Sequence, residues 1–297
     1  MLKRLEVFLI AALFVLITAI ILIVYTKQRE QEFKTHNSII QKAVVHGAAY
    51  AINLQLLDKH RHVRLFTDEY ARLFLRLTNF PADEKTANNI KSRLQQRFPD
   101  FFTFTITDQN AMPVLQDIES LVGDACQLDL SNFAKNISIS SKKRESQNKV
   151  VIHPKPLNYH YDIMAPLYSN GRGASIFFTS FYLKEITDIL KTHELPGQSL
   201  MLVKQSDSGL IEVTSEGARD KLSRDIRLTE KELGRVKVFE NIPATDWRLV
   251  NLPDADYEKQ YLEGLWKEAI IILFIVTLAL FLLIAVLIKI SGRQGSD

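Results

Sequence analysis

Hydrophobic positions fall into three patterns along this chain, and their order predicts most of its organisation. Val7 to Val24 and Ala269 to Ile288 each run about 18 to 20 positions without a charge, long enough as helices to cross a hydrocarbon layer of roughly 30 Å. From Ile40 to Leu77, apolar or small residues recur at helical intervals (Val44, Ala48, Ile52, Leu56, Val63, Phe66, Tyr70, Leu73, Leu77), with Lys59, Arg61, Asp68, Glu69 and Arg76 mostly between them. All nine prolines lie between Pro81 and Pro253, so neither end carries that helix breaker. A single helix over 26–78 is expected, about 80 Å long at 1.5 Å per residue. That is too tall for one small module and suits two stacked ones.

After Pro81 a shorter helix is predicted, capped by Asp83 and reaching about Arg97, and then the period changes to that of strands. Strand candidates are Phe101 to Thr107, Pro113 to Gln116, Lys149 to His153, Asn158 to Leu167 and Gly173 to Tyr182. Asn170-Gly171 between the last two is a hairpin signal, because both turn positions accept positive φ. Leu128 to Asn136 reads as a helix, and Ser138 to Asn148, with Lys142-Lys143-Arg144, as an exposed loop. A helix at about Leu183 to His193 precedes a second strand group: Ser199 to Gln205, Leu210 to Thr214, Val236 to Glu240 and Trp247 to Leu252. Asp254 to Trp266 can then run as a helix into the second span.

Charge adds topology. Lys3 and Arg4 before the first span and Lys289 and Arg293 after the second put both short tails in the cytoplasm. An uncleaved signal anchor is expected, since no A-x-A site follows Val24. The expected layout is a cytoplasmic tail (1–6), a first span (7–25), an extracytoplasmic domain (26–268), a second span (269–288) and a cytoplasmic tail (289–297). Between the spans lie 33 basic and 32 acidic residues, a balance that gives no electrostatic reason to bind nucleic acid. Cys126, the one cysteine, permits no internal disulfide.

Several segments carry a resemblance to a family. Phe98-Pro99-Asp100 leads into a strand ending Thr107-Asp108-Gln109-Asn110, and Asp162-Ile163-Met164-Ala165-Pro166-Leu167 is followed by Asn170-Gly171 and a strand ending Tyr182-Leu183. Ile242-Pro243-Ala244-Thr245-Asp246-Trp247-Arg248-Leu249 then closes the strand series. With the element order, these segments resemble the double Cache (dCache, PAS-like) family of bacterial extracytoplasmic sensors over roughly Gln28 to Leu265. The resemblance implies an α+β fold: two transmembrane helices flanking a long helix and two antiparallel-sheet modules, distal over 79–182 and proximal over 183–253. It also implies a place in the bacterial inner membrane with the central domain periplasmic or extracellular. Two departures stand out: Ala111 occupies a usual glycine position, and Ser180 falls about where members that bind amino acids carry an aspartate. No Arg and Trp-Tyr cluster lies near Phe101 to Gln116, so amino-acid specificity is not carried over.

Candidate chemistry centres on Tyr159-His160-Tyr161-Asp162. Strand alternation sends Tyr159, Tyr161 and Ile163 to one face and His160, Asp162 and Met164 to the other. A carboxylate within a strand needs a partner or a pocket. Asp162 or His160 could anchor a small ligand against an aromatic wall such as Tyr182, and a structural hydrogen bond or ion pair answers the same pattern. His153 and His160, seven apart with Pro154 and Pro156 between, match no metal-ligand spacing. No H-E-x-x-H, G-x-S-x-G or P-loop pattern occurs, so no catalytic residue, cofactor or metal is expected.

The function expected is a membrane-anchored small-molecule sensor acting through its two spans. Residues 289–297 are too few for an output domain, so a kinase, cyclase, phosphodiesterase or chemoreceptor module is expected from a cytoplasmic partner or a longer chain. A homodimer is expected, with Ala12 and Ala19 on one face of the first span. The ligand is expected on the distal module, where 127–149 is long enough to form a lid. The alternative is an envelope scaffold resembling polysaccharide chain-length regulators, although nothing after Pro253 is proline where those proteins look Pro-rich.

Overall fold

The computed structural model describes residues 2–108, 110, 112–115, 124–139, 150–153, 158–169 and 172–293. The chain divides into two compact units, Met1–Gln41 with Asp254–Asp297, and Lys42–Pro253. Helix α1 runs from Leu2 to Glu69 and supplies both units, while α7, Ala255–Arg293, belongs to the first.

In the first unit, α1 and α7 each hold a stretch long and apolar enough to cross a membrane. Leu9, Ile10, Phe14 and Ile21 on α1, and Ile270, Phe274, Phe281 and Leu282 on α7, all point outward. Helices apolar on their outer surface belong in lipid, where backbone hydrogen bonds are satisfied within the helix. Phe33 stacks on Tyr261 with ring centroids 4.0 Å apart. Phe33 follows the end of the first apolar stretch, Val24, by nine residues, and Tyr261 precedes the start of the second, Ala269, by eight.

In the second unit, α1 does not continue to residue 78 as a single helix. It stops at Glu69, and Tyr70, with φ −104° and ψ 18°, separates it from α2, Ala71–Asn79. Neither Gly nor Pro causes this break. The Tyr70 ring packs on Phe66 at 4.7 Å and under the Arg93 guanidinium at 4.8 Å, and the turn beyond it delivers Phe74 onto Phe177 at 4.8 Å. Helix α3, Glu84–Arg97, starts as expected at Asp83, whose side chain accepts from Thr86 N.

The strands make two antiparallel sheets. The distal sheet has the order β1-β4-β3-β2, with β1 Phe101–Ile106, β2 Ile152–His153, β3 His160–Ser169 and β4 Arg172–Tyr182. The expected strand at 113–116 reduces to a bridge between Pro113 and Thr107, and Gln116 lies outside the described residues. The Asn170-Gly171 turn and the Lys142-Lys143-Arg144 loop also lie outside them. Helix α4, Asp124–Ile139, covers the distal sheet on the side away from α1, and α5, Lys184–His193, leads to the proximal sheet. That sheet has the order β7-β6-β5-β9-β8, with β5 Gln198–Lys204, β6 Ile211–Thr214, β7 Gly217–Ala218, β8 Val238–Asn241 and β9 Trp247–Pro253. A short helix α6, Glu230–Arg235, precedes β8 and opens on a capping box between Thr229 and Glu232.

One core runs along the α1 side of both sheets. It joins Ala48, Ile52, Leu56, Val63 and Phe66 of α1 to Tyr161, Phe177 and Phe181 of the distal sheet and to Leu200, Leu202, Trp247 and Leu249 of the proximal sheet. Each sheet has a separate, smaller core on its outer face. The sheets are tied edge to turn as well: Val150 N donates to Ala244 O at 2.8 Å, and Asp246 N to Val150 O at 3.3 Å.

Candidate functional site

Strand period and cross-strand register build the candidate site on the outer face of the distal sheet. Asp162 lies opposite Ser180, and Ser180 opposite Thr103, giving a polar row across β3, β4 and β1. One step along, His153 lies opposite His160 and His160 opposite Tyr182. Phe102 completes this second row, 5.0 Å from the Tyr182 ring and 5.2 Å from the His160 ring. Residues two apart share a face of a strand, so an aromatic row runs alongside a polar one.

Charge concentrates at the β2–β3 edge. Ser180 donates to Asp162 Oδ1 at 2.6 Å, and His160 Nε2 stands 3.7 Å from the same oxygen. His153 Nε2 lies 3.3 Å from Asp162 Oδ2 and 3.2 Å from Oδ2 of Asp129 on α4. His153, His160 and Asp162 are all buried. Burial alone would lower the His153 pKa, but the Asp129 contact and the charges of Asp162 and Glu212 outweigh it and raise the imidazole above its ordinary value. Tyr182, between Phe102 and His160 in the aromatic row, is 37% exposed and opens the row to solvent. Among the described residues no group of three or more His, Cys, Asp or Glu side chains is arranged to hold a metal ion.

The five residues expected to form the site separate by face. His160, Asp162 and Tyr182 come together on the outer face. Tyr161 points inward, fully buried, its ring 5.7 Å from Phe181 and 6.3 Å from Trp247. Beside it, Lys59 of α1 is held between Asp100 at 2.6 Å and Glu185 at 2.7 Å, with its ammonium 4.9 Å from the Phe181 ring. Burial, with the Asp100 and Glu185 charges, pushes the Tyr161 hydroxyl well above its usual pKa. Tyr159 is half-buried and faces the Arg219 guanidinium, 5.6 Å away, which the buried Glu212 holds through Nε at 3.1 Å. Sequence reasoning missed Phe102, Asp129, His153 and Ser180 as members of the group. The alternation that separated His160 from Tyr161 places Ser180 once β3 and β4 are registered, whereas Asp129 gives no sequence signal.

No family model matches the chain, and no curated protein matches it. Solved structures do. The sensory domain of the Campylobacter jejuni chemoreceptor Tlp3 with isoleucine bound is 12% identical, covering 79% of this chain and 98% of that one, with a TM-score of 0.48. The sensor domain of the V. cholerae histidine kinase DctB is 10% identical over 74% and 98%, TM-score 0.48. The ligand-binding domain of the Pseudomonas aeruginosa chemoreceptor PctC in complex with GABA is 15% identical over 71% and 97%, TM-score 0.44.

Proposed function

We propose that the chain is an extracytoplasmic small-molecule sensor, anchored by two membrane spans, with its ligand on the outer face of the distal sheet. The observation that carries this reading is the charged group at the β2–β3 edge: two carboxylates and two imidazoles are gathered where strand alternation would otherwise place core side chains. Burying such groups costs stability relative to an apolar core of the same shape, which a binding role accounts for. Asp162 with Asp129 favours a cationic or hydrogen-bond-donating ligand over an anion, and Phe102 and Tyr182 supply aromatic surface for a positive group. Tyr159 and Tyr161 then act from behind, fixing β3 against the inner core.

Coupling runs through two elements. Helix α1 carries core residues of the sensor unit and the first apolar stretch within one hydrogen-bonded helix, and β9 is followed almost at once by α7. A ligand shifts such a system only by binding one packing of these elements better than another. The Phe33–Tyr261 stack lies nine residues from the first apolar stretch and eight from the second, a spacing that suits two spans entering one bilayer from the same side, with both tails cytoplasmic beside a signalling partner. The working form is a homodimer with the first spans adjoining at Ala12 and Ala19. In a Cys126→Ser background, single cysteines at those positions should crosslink under oxidation, and failure of both removes the dimer reading.

Thermal unfolding of the full-length chain in detergent micelles, screened against small amines and neutral hydrogen-bond donors, tests the site. A true ligand at a hundred times its Kd adds about 2.7 kcal/mol to the folded state. Asp162→Ala should abolish that rise while the uncomplexed protein keeps its fold. A variant that responds with an unchanged midpoint makes Asp162 structural and places the site elsewhere.

A further inference from the structure

We propose that α4 is a lid over the outer face of the distal sheet, held shut by a proton: His153, as imidazolium, bridges Asp129 of the lid to Asp162 of the sheet. Three observations converge on it. Helix α4 rests on the sheet through a small apolar contact, Leu130 and Phe133 against Ile176 and Phe178, separate from the main core. The polar link beside that contact is an imidazole between two carboxylates, at 3.2 Å and 3.3 Å from Nε2. Finally, the three groups come from three different elements, α4, β2 and β3, so the ion pair ties the helix to two strands of the sheet.

The consequence is a closure that depends on pH. Among the described residues, the titratable groups around His153 are Asp129 from α4, His160 and Asp162 from β3, and Glu212 from β6, the last matched by Arg219. Both carboxylates approach the same nitrogen and neither makes an aligned hydrogen bond to it, so what the proton supplies is charge, and deprotonation leaves Asp129 and Asp162 facing each other across a neutral ring. Closure raises the His153 pKa above its ordinary 6.5. The stabilisation of the closed form is therefore complete below pH 6.5 and is lost as pH rises through the raised value. Leu130 and Phe133 remain, so the lid loosens without the module unfolding. A cation entering between Asp129 and Asp162 replaces the imidazolium charge, which makes ligand uptake release a proton.

Only this last step rests on the sensor reading; closure itself is measurable without any ligand. The measurement is backbone hydrogen exchange of α4 in the full-length chain in detergent micelles, as protection relative to α3, at about pH 6 and about pH 9. Wild type should lose about tenfold of its relative α4 protection between the two. His153→Gln and Asp129→Asn should show low protection at both pH values and no step, whereas His160→Gln should keep the step. A wild-type protein whose relative protection does not change, or a His153→Gln variant that retains the step, overturns the latch. Asp129 is partly exposed, so its variant preserves the fold if His153→Gln does not. Since no compound enters the experiment, absence of the step in wild type strikes the latch alone, and absence of Asp162-dependent binding strikes the sensor reading alone.

Discussion

The two sheets share one inner core and differ on their outer faces. On the proximal sheet that face is filled by Met201, Val203, Ile211, Leu228, Val250 and Leu252, all buried. On the distal sheet the buried apolar contact among the described residues is Leu130, Phe133, Ile176 and Phe178, with Leu115, Ala134 and Met164 packed against it, and beside it the same face holds His153, His160, Asp162, Ser180 and Thr103 along with Phe102 and Tyr182. Both faces are covered by chain that follows or precedes their strands, so exposure to water does not explain the contrast. A fold needs each sheet sealed on both sides; it does not need charges inside the seal. The distal face departs from what stability alone would select, and departures of that kind concentrate where a protein binds something.

The largest expected effect comes from making the proximal face resemble the distal one. Val250→Asp puts a carboxylate into the buried apolar cluster of Met201, Val203, Ile211, Leu228 and Leu252, at a cost of about 3 kcal/mol or more in thermal or urea unfolding. The reverse change should be mild. Asp162→Asn keeps an acceptor for the Ser180 hydroxyl, which lies 2.6 Å from the carboxylate, and should shift stability by about 1 kcal/mol or less. If Val250→Asp is tolerated as well as Asp162→Asn, both outer faces accept charge and the contrast carries no functional content.

Much of this arrangement was legible from local pattern. The two charge-free stretches, the Asp83 cap and the alternation through His160, Tyr161 and Asp162 each depend on neighbours a few residues away, and each is found in the structure. The Thr229-x-x-Glu232 signature of α6 was equally present and went unread, because a six-residue helix leaves no periodicity to notice. What was not legible is long-range. His153 and Asp129 join Asp162 only through the β2–β3 register and the seating of α4, and no spacing along the chain encodes either. The break at Tyr70 belongs with these: its cause is the seating of one ring between Phe66 and Arg93, a tertiary contact overriding a continuous apolar stripe.

The smallest expected effect sharpens the comparison where the sheets meet. Ala244 has φ 55°, the one non-glycine residue with positive φ among those described, and it lies in the Pro243–Asp246 turn before β9. Its carbonyl accepts from Val150 N at the distal edge, so the strained residue is also the one that joins the two sheets. The left-handed conformation costs an L-residue about 1 to 2 kcal/mol, and glycine removes that cost while adding about 0.5 to 1 kcal/mol of unfolded-state entropy. Ala244→Gly should therefore raise unfolding stability by up to about 1 kcal/mol, and the Val150 amide should stay protected from exchange. Ala244→Val, β-branched and less tolerant of positive φ, should lower stability and release that amide. If glycine instead loosens the Val150 amide, the strain at Ala244 is what holds the proximal turn against the distal edge, and the two outer faces differ in mobility as well as in chemistry.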